Sequence, residues 1–134
     1  MTDDSGPSQS IGSLLIVEDD ASTRDAVVAM LEELGHVPGR VAVDGQEAIE
    51  LLQEAPCDLM MLDLMMPRMD GFEVLRALRT GLAPRPARII VMSAHASMAD
   101  REGLSLLGVD KFLSKPFTLD ELRRAIEDVG AGEV

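Results

Sequence analysis

Three unbroken apolar runs constrain this chain more than any other feature: Leu14-Leu15-Ile16-Val17, Leu59-Met60-Met61-Leu62 and Ile89-Ile90-Val91-Met92. A strand with one face in water alternates apolar and polar side chains, whereas a run with no polar break needs cover on both faces. Four residues make a strand and are too few for a helix. Such strands belong to parallel sheets, whose crossover helices pack on both sides. Two weaker runs, Val41-Ala42-Val43 and Phe112-Leu113, complete a set of five. Pro38 and Gly39 lie just upstream of the second run. Proline cannot donate to a ladder, so that strand is expected at an edge.

The stretches between the runs carry helical spacing. Val27, Met30, Leu31 and Leu34 recur at three and four residues, with Gly35 as a stop. Asp44 and Glu47, Asp70 and Glu73, Ser97 and Asp100, and Thr118 and Glu121 each form a capping-box-like pair before an apolar stripe. Gly81, Gly108 and Gly130 are the matching stops. Five strand–helix units at roughly 22 to 30 residues each have the span of βαβ crossovers. The expected fold is α/β, a (βα)5 doubly wound open parallel sheet. Residues 1–12, rich in Ser, Asp, Gly and Pro, are expected to be a disordered tail, 13–130 the domain, and 131–134 a short C-terminal tail.

The reactive side chains fall at one kind of place. Glu18-Asp19-Asp20 follow the first run, Asp63 the third, Ser93 the fourth, and Lys115 closely follows the fifth. Parallel strands all point one way, so these residues converge at the carboxyl edge of the sheet, where open α/β sheets bind ligands. Clustered carboxylates repel by about 4 kcal/mol per pair at ~4 Å and an effective dielectric near ~20. They remain ionised together when a cation sits among them. Oxygen donors without His or Cys suit Mg²⁺. A lysine and a hydroxyl facing that metal are groups that hold phosphoryl oxygens, and an aspartate can be the nucleophile that receives one. The cluster reads as a site for phosphoryl transfer.

Other polar residues have plainer readings. Asp20 is expected to cap the next helix. His95 has no second His or Cys near it in sequence and reads as a rim residue. His36 reads as structural or exposed, and Cys57 as a small apolar filler. Met60 and Met61 belong to the core, while Met65, Met66 and Met69 line a loop. Lys and Arg number 12 against 24 Asp and Glu, a formal charge of −12. That excess argues against direct nucleic-acid binding and against docking on anionic lipid. No apolar run approaches the ~20 residues that span a bilayer, and the acidic, polar start is unlike a signal peptide. The expected location is the cytoplasm.

With these residues assembled, the chain resembles the receiver domain of two-component response regulators, the family of the bacterial chemotaxis receiver. The resemblance rests on LLIVEDD at residues 14–20, DLMMPRMDG at 63–71, IIVMSA at 89–94, Asp44-Gly45 and Lys115-Pro116-Phe117. It implies a flavodoxin-like strand order of 2-1-3-4-5. It implies that Asp63 accepts the phosphoryl group, that Asp19 binds Mg²⁺ directly, and that Glu18 does so through water. Met65 would lend its backbone carbonyl to the metal. Lys115 would pair with a phosphoryl oxygen, with a cis bond to Pro116. Ser93 would swing toward the phosphate. Phe112 occupies the aromatic switch position and lacks a hydroxyl, so its movement would act through packing. Met65 and His95 flank the phosphoryl group and would tune its lifetime.

The resemblance implies a sensor histidine kinase or histidine phosphotransfer protein docking near helix one. The helix 4, strand 5 and helix 5 surface would signal to a downstream protein or to an output domain missing from the C-terminal side. The domain would be a phosphoacceptor with at most slow self-dephosphorylation, not an enzyme. A Mg²⁺-dependent phosphohydrolase with an aspartyl nucleophile is an alternative, but it wants a second acid where Met65 stands. A receiver-shaped module that is never phosphorylated would leave the acid, Ser and Lys set without a purpose.

Overall fold

A computed structural model describes residues 12–131 apart from Pro38 and residues 95–97. Five strands alternate with five helices: β1 Leu14–Val17, α1 Ala21–Glu33, β2 Arg40–Ala42, α2 Gly45–Glu54, β3 Leu59–Asp63, α3 Gly71–Arg79, β4 Arg88–Ser93, α4 Met98–Leu106, β5 Lys111–Ser114 and α5 Leu119–Ala131. The strands are parallel, in the order β2-β1-β3-β4-β5. This is the doubly wound sheet expected from the unbroken runs. The edge position of β2 also follows the expectation, although Pro38 itself lies outside the described residues.

Strand parity explains why the runs have no polar break. Leu15, Val17, Met60, Leu62, Ile89 and Val91 face one buried cluster with Ile49 and Leu52 of α2, Val74, Leu75 and Leu78 of α3, and Leu104 of α4. Leu14, Ile16, Leu59, Met61, Ile90 and Met92 face the other, with Val27 and Leu31 of α1 and Leu122, Ile126 and Val129 of α5. Each residue of the three unbroken runs is therefore buried by one helical layer or the other. Cys57 lies in the first cluster as a free thiol, and burial pushes its pKa up to about 11. It is the apolar filler expected. His36 is buried.

Helix starts follow the sequence signals closely. Asp20 accepts from Thr23 N at 2.9 Å and caps α1. Asp70 and Glu73 close a reciprocal capping box on α3. Thr118 and Glu121 do the same on α5, at 2.8 and 3.0 Å. At α2 the pair differs: Asp44 accepts from Glu47 N at 2.8 Å, but Glu47 reaches back past it to Val43 N at 2.7 Å. Ser97 of the α4 pair lies outside the described residues. Gly35, Gly81 and Gly108 take left-handed φ at their stops. Gly130 does not stop α5, which runs through it to Ala131, one residue into the stretch assigned to the tail. The guanidinium of Arg88 donates to Val129 O at 3.1 Å and supplies a partner for that terminal carbonyl. Among the described residues, no helix is long and apolar enough to cross a membrane.

Candidate functional site

The carboxyl ends of β1, β3, β4 and β5 bring the acidic, hydroxyl and ammonium groups to one cleft. Asp63 ends β3 and is 3% exposed; Glu18 directly follows β1 and is 1% exposed. Asp19 beside it is exposed. Ligand oxygens of Glu18, Asp19 and Asp63 all lie within 4.8 Å of one another. Lys115, past the end of β5, sends its Nζ to Glu18 Oε1 at 2.6 Å and toward Asp63 Oδ1 at 3.3 Å. Two buried acids thus share one ammonium, and the third, Asp19, stands beside them with no cation of its own among the described residues. Burial pushes the Glu18 carboxyl above the ordinary range, while its bond from Lys115 pulls the other way. Burial also works against charge on Lys115, yet the bond to Glu18 and the nearby Asp63 outweigh it and hold the ammonium above its usual pKa.

Backbone geometry fixes how these groups are presented. Lys115 N donates to Ser93 O at 2.8 Å, which ties the last turn of β5 to β4, and Ser93 is buried. The Lys115–Pro116 bond is cis. Met65 N approaches Asp63 Oδ1 at 3.4 Å, while the Met65 side chain stands at the rim, 70% exposed. Met66 is buried and Met69 partly so. The loop after β3 is braced at both ends. Gly71 N donates to Leu64 O at 3.0 Å, and a Cβ at Gly71 would come within 2.6 Å of Asp63 O. Gly45 N donates to Met69 O at 3.2 Å, and the Arg68 guanidinium pairs with the Asp44 carboxylate. That pair holds Asp44 below the usual carboxylate range, with the bond from Glu47 N contributing most. Arg68 takes this place at a left-handed φ of 65°.

Phe112 of β5 is partly buried beside the cluster that faces α4. Arg101 of α4 lies over its ring, 4.2 Å from the centroid, and also donates to Ser114 Oγ at 3.2 Å. His95 lies outside the described residues. A groove of about 340 Å³ opens next to Lys115, lined by Ser22, Ala26 and Met30 of α1 with Ala94, Pro116 and Phe117.

The sequence reading named Glu18, Asp19, Asp63, Ser93 and Lys115 from their places at strand ends, and these meet in the cleft. It did not name Arg24, Arg68 or Arg101. An arginine that donates to a carbonyl or covers a ring leaves no period in the sequence. Only its partner's position in space reveals it.

The chain is similar to known proteins over nearly all its length. The response regulator receiver domain model matches residues 14–127. A response regulator MprA of Mycolicibacterium vanbaalenii is 38% identical over 128 residues, covering 90% of this chain and 54% of the relative. A probable chemotaxis protein CheY of Rhizobium etli is 34% identical over 116 residues, covering 87% of this chain and 90% of that protein. The chain thus spans about half the length of MprA and nearly all of that CheY. Among solved structures, the receiver domain of a Pseudomonas aeruginosa sensor histidine kinase, with a magnesium ion in its active-site cleft, superposes with a TM-score of 0.78 at 29% identity, covering 90% of this chain and 98% of that one. The receiver domain of a putative NarL of Mycobacterium tuberculosis does so at 0.80 and 31%, covering 92% and 98%.

Proposed function

Because the chain belongs to the response regulator receiver family, we propose that it is a phosphoacceptor switch in which Asp63 takes a phosphoryl group from a phosphohistidine. The observation that carries this reading is the clustering of three ligand carboxylates at the carboxyl edge of the sheet, two of them paired with one lysine. The donor set also fits Mg²⁺. It is all oxygen, it has more negative charge than Lys115 can balance, and Asp19 keeps one side open to water for a hydrated ion. Glu18, Asp19, Asp63 and the Met65 carbonyl would hold the ion. Bound there, Mg²⁺ would neutralise charge on the transferring phosphoryl oxygens. The magnesium in the cleft of the Pseudomonas receiver supports this assignment.

The residues divide the work as follows. An oxygen of Asp63 attacks phosphorus, the P–N bond of the phosphohistidine breaks, and its electron pair leaves on the imidazole, which takes a proton from solvent. Lys115 leaves Glu18 and follows the new negative charge onto a phosphoryl oxygen. Ser93 turns its hydroxyl to the same group, and Phe112 moves inward behind it. That movement breaks the Arg101 contact over its ring, worth about 0.5–1 kcal/mol at an exposed site. The small size of that contact suits a switch that a single new charge can throw. The α4, β5 and α5 surface then signals to a downstream protein or to an output domain of a longer chain.

The donor is a sensor histidine kinase or a histidine phosphotransfer protein. It docks near α1, where the groove beside Lys115 gives access to the cleft. Catalysis of hydrolysis is a poor fit, because Met65 offers no carboxylate two residues after Asp63. The test is incubation with a small acyl phosphate, read by intact mass. One phosphoryl adduct is expected on wild type with Mg²⁺, and none in EDTA or on Asp63→Asn. Equal uptake by wild type and Asp63→Asn overturns the assignment.

A further inference from the structure

The acid turn after β1 is held by a residue that has no part in the roles above. Arg24, half-buried on the first turns of α1, donates through Nη1 to Glu18 O at 2.9 Å, with Asp19 O at 3.4 Å. Two further bonds close the same turn. Asp20 N donates to Glu18 Oε2 at 3.2 Å, and Glu18 N donates to Ala42 O at 3.0 Å. Asp20 is itself tied to α1 through Thr23, at 2.9 and 2.7 Å. Glu18 therefore has its side chain anchored by Lys115 and its carbonyl by Arg24.

Asp19 is different. Among the described residues its carboxylate has no hydrogen-bond or ion-pair partner, and it is exposed. What aims it at the cleft is the orientation of its own backbone. The two peptide planes that set this orientation carry the carbonyls against which Arg24 lies. We infer that Arg24 is the positioning residue for the Glu18–Asp19 acid pair, fixing the turn so that Asp19 meets a divalent cation without reorganising. The inference rests on the metal reading of the cleft proposed above.

Charge alone gives the opposite expectation. A guanidinium beside the acid turn repels an incoming cation, so removing it would tighten Mg²⁺ binding if electrostatics dominated. Outer partners that orient metal ligands typically contribute 10–100-fold in metal affinity. The sign of the change therefore separates positioning from charge.

The experiment is calorimetric titration of the whole chain with Mg²⁺ alone, using wild type, Arg24→Met and Arg24→Lys. Melting of each in EDTA is the control for a purely structural role. Arg24→Met is expected to bind Mg²⁺ roughly tenfold more weakly or worse. Arg24→Lys, which keeps the charge but loses the planar fork, is expected between the two. If Arg24→Met does not fold, Arg24→Lys decides alone. A dissociation constant unchanged from wild type, or a tighter one, in the folded variant overturns the assignment even if its melting point falls. A wild type that binds no Mg²⁺ overturns the metal reading and this inference with it. A wild type that binds, alongside variants that bind equally, overturns the role of Arg24 only.

Discussion

Asp19→Asn should stabilise the metal-free protein and abolish its response to Mg²⁺. The Asp19 carboxylate lies within 4.8 Å of ligand oxygens of both Glu18 and Asp63. At that separation each like-charge contact costs about 3.5 kcal/mol at an effective dielectric of ~20 and about 0.9 kcal/mol at that of water. Asp19 is exposed while its two neighbours are buried, so the water-side figure is the nearer one. Removing two such contacts, less the lost attraction to Lys115, gives a gain on the order of 1–2 kcal/mol. Mg²⁺ offsets the advantage, since wild type gains about 1.4 kcal/mol at ten times the dissociation constant. With no Trp or Tyr in the chain, urea unfolding is best followed by far-UV circular dichroism, in EDTA and in Mg²⁺. The variant should unfold at higher urea in EDTA, and only wild type should move upward with Mg²⁺. An Asp19→Asn protein weaker than wild type in EDTA, or one that rises equally with Mg²⁺, refutes the reasoning.

Three further variants test separate predictions. Hydrolysis of an aspartyl phosphate needs a water held in line, and Met65 at the rim offers it a poor hydrogen-bond partner. Met65→Asn with His95→Glu should hasten loss of phosphate after donor removal, and unchanged or slower decay contradicts this. Gly71→Ala places a methyl against the Asp63 carbonyl and the Leu64 backbone. It should cost about 1–3 kcal/mol in urea unfolding, and a neutral result would mean the loop can yield there. Burial holds the His36 imidazole below its ordinary pKa of 6.5. The unfolded chain therefore takes up the proton first as pH falls, and stability is lost below about pH 6.5. Unfolding between pH 7 and 5 should be less pH-dependent in His36→Asn than in wild type, and equal slopes would contradict a neutral buried ring.

The sheet was legible because burial on both faces erases alternation, and few other structures produce unbroken runs such as Ile89 to Met92. Helix starts were legible where the cap is local, as at Asp70 with Glu73, since both partners sit three residues apart. The Asp44 pair departs from that pattern because Arg68 takes the outer oxygen of Asp44 from 24 residues away, while Glu47 reaches Val43 N. Gly130 misled for a related reason. A glycine stops a helix only where the chain must turn, and α5 finds a terminal partner in Arg88, 41 residues distant. At the site, strand ends announced Glu18, Asp63, Ser93 and Lys115. The preference of Lys115 Nζ for Glu18 over Asp63 could not be read, because it depends on which carboxylate is more deeply enclosed. His95, named at the rim, lies outside the described residues.

The most direct measurement maps the phosphoryl group itself. Borohydride reduces an acyl phosphate on an aspartate side chain to homoserine, which survives proteolysis and tandem mass spectrometry. After treatment of wild type with a small acyl phosphate and Mg²⁺, homoserine is expected at position 63 and at no other acid. Homoserine at Asp19, Glu18 reduced to its own alcohol, or a phosphoryl adduct with no reduced residue at 63 would contradict Asp63 as the acceptor.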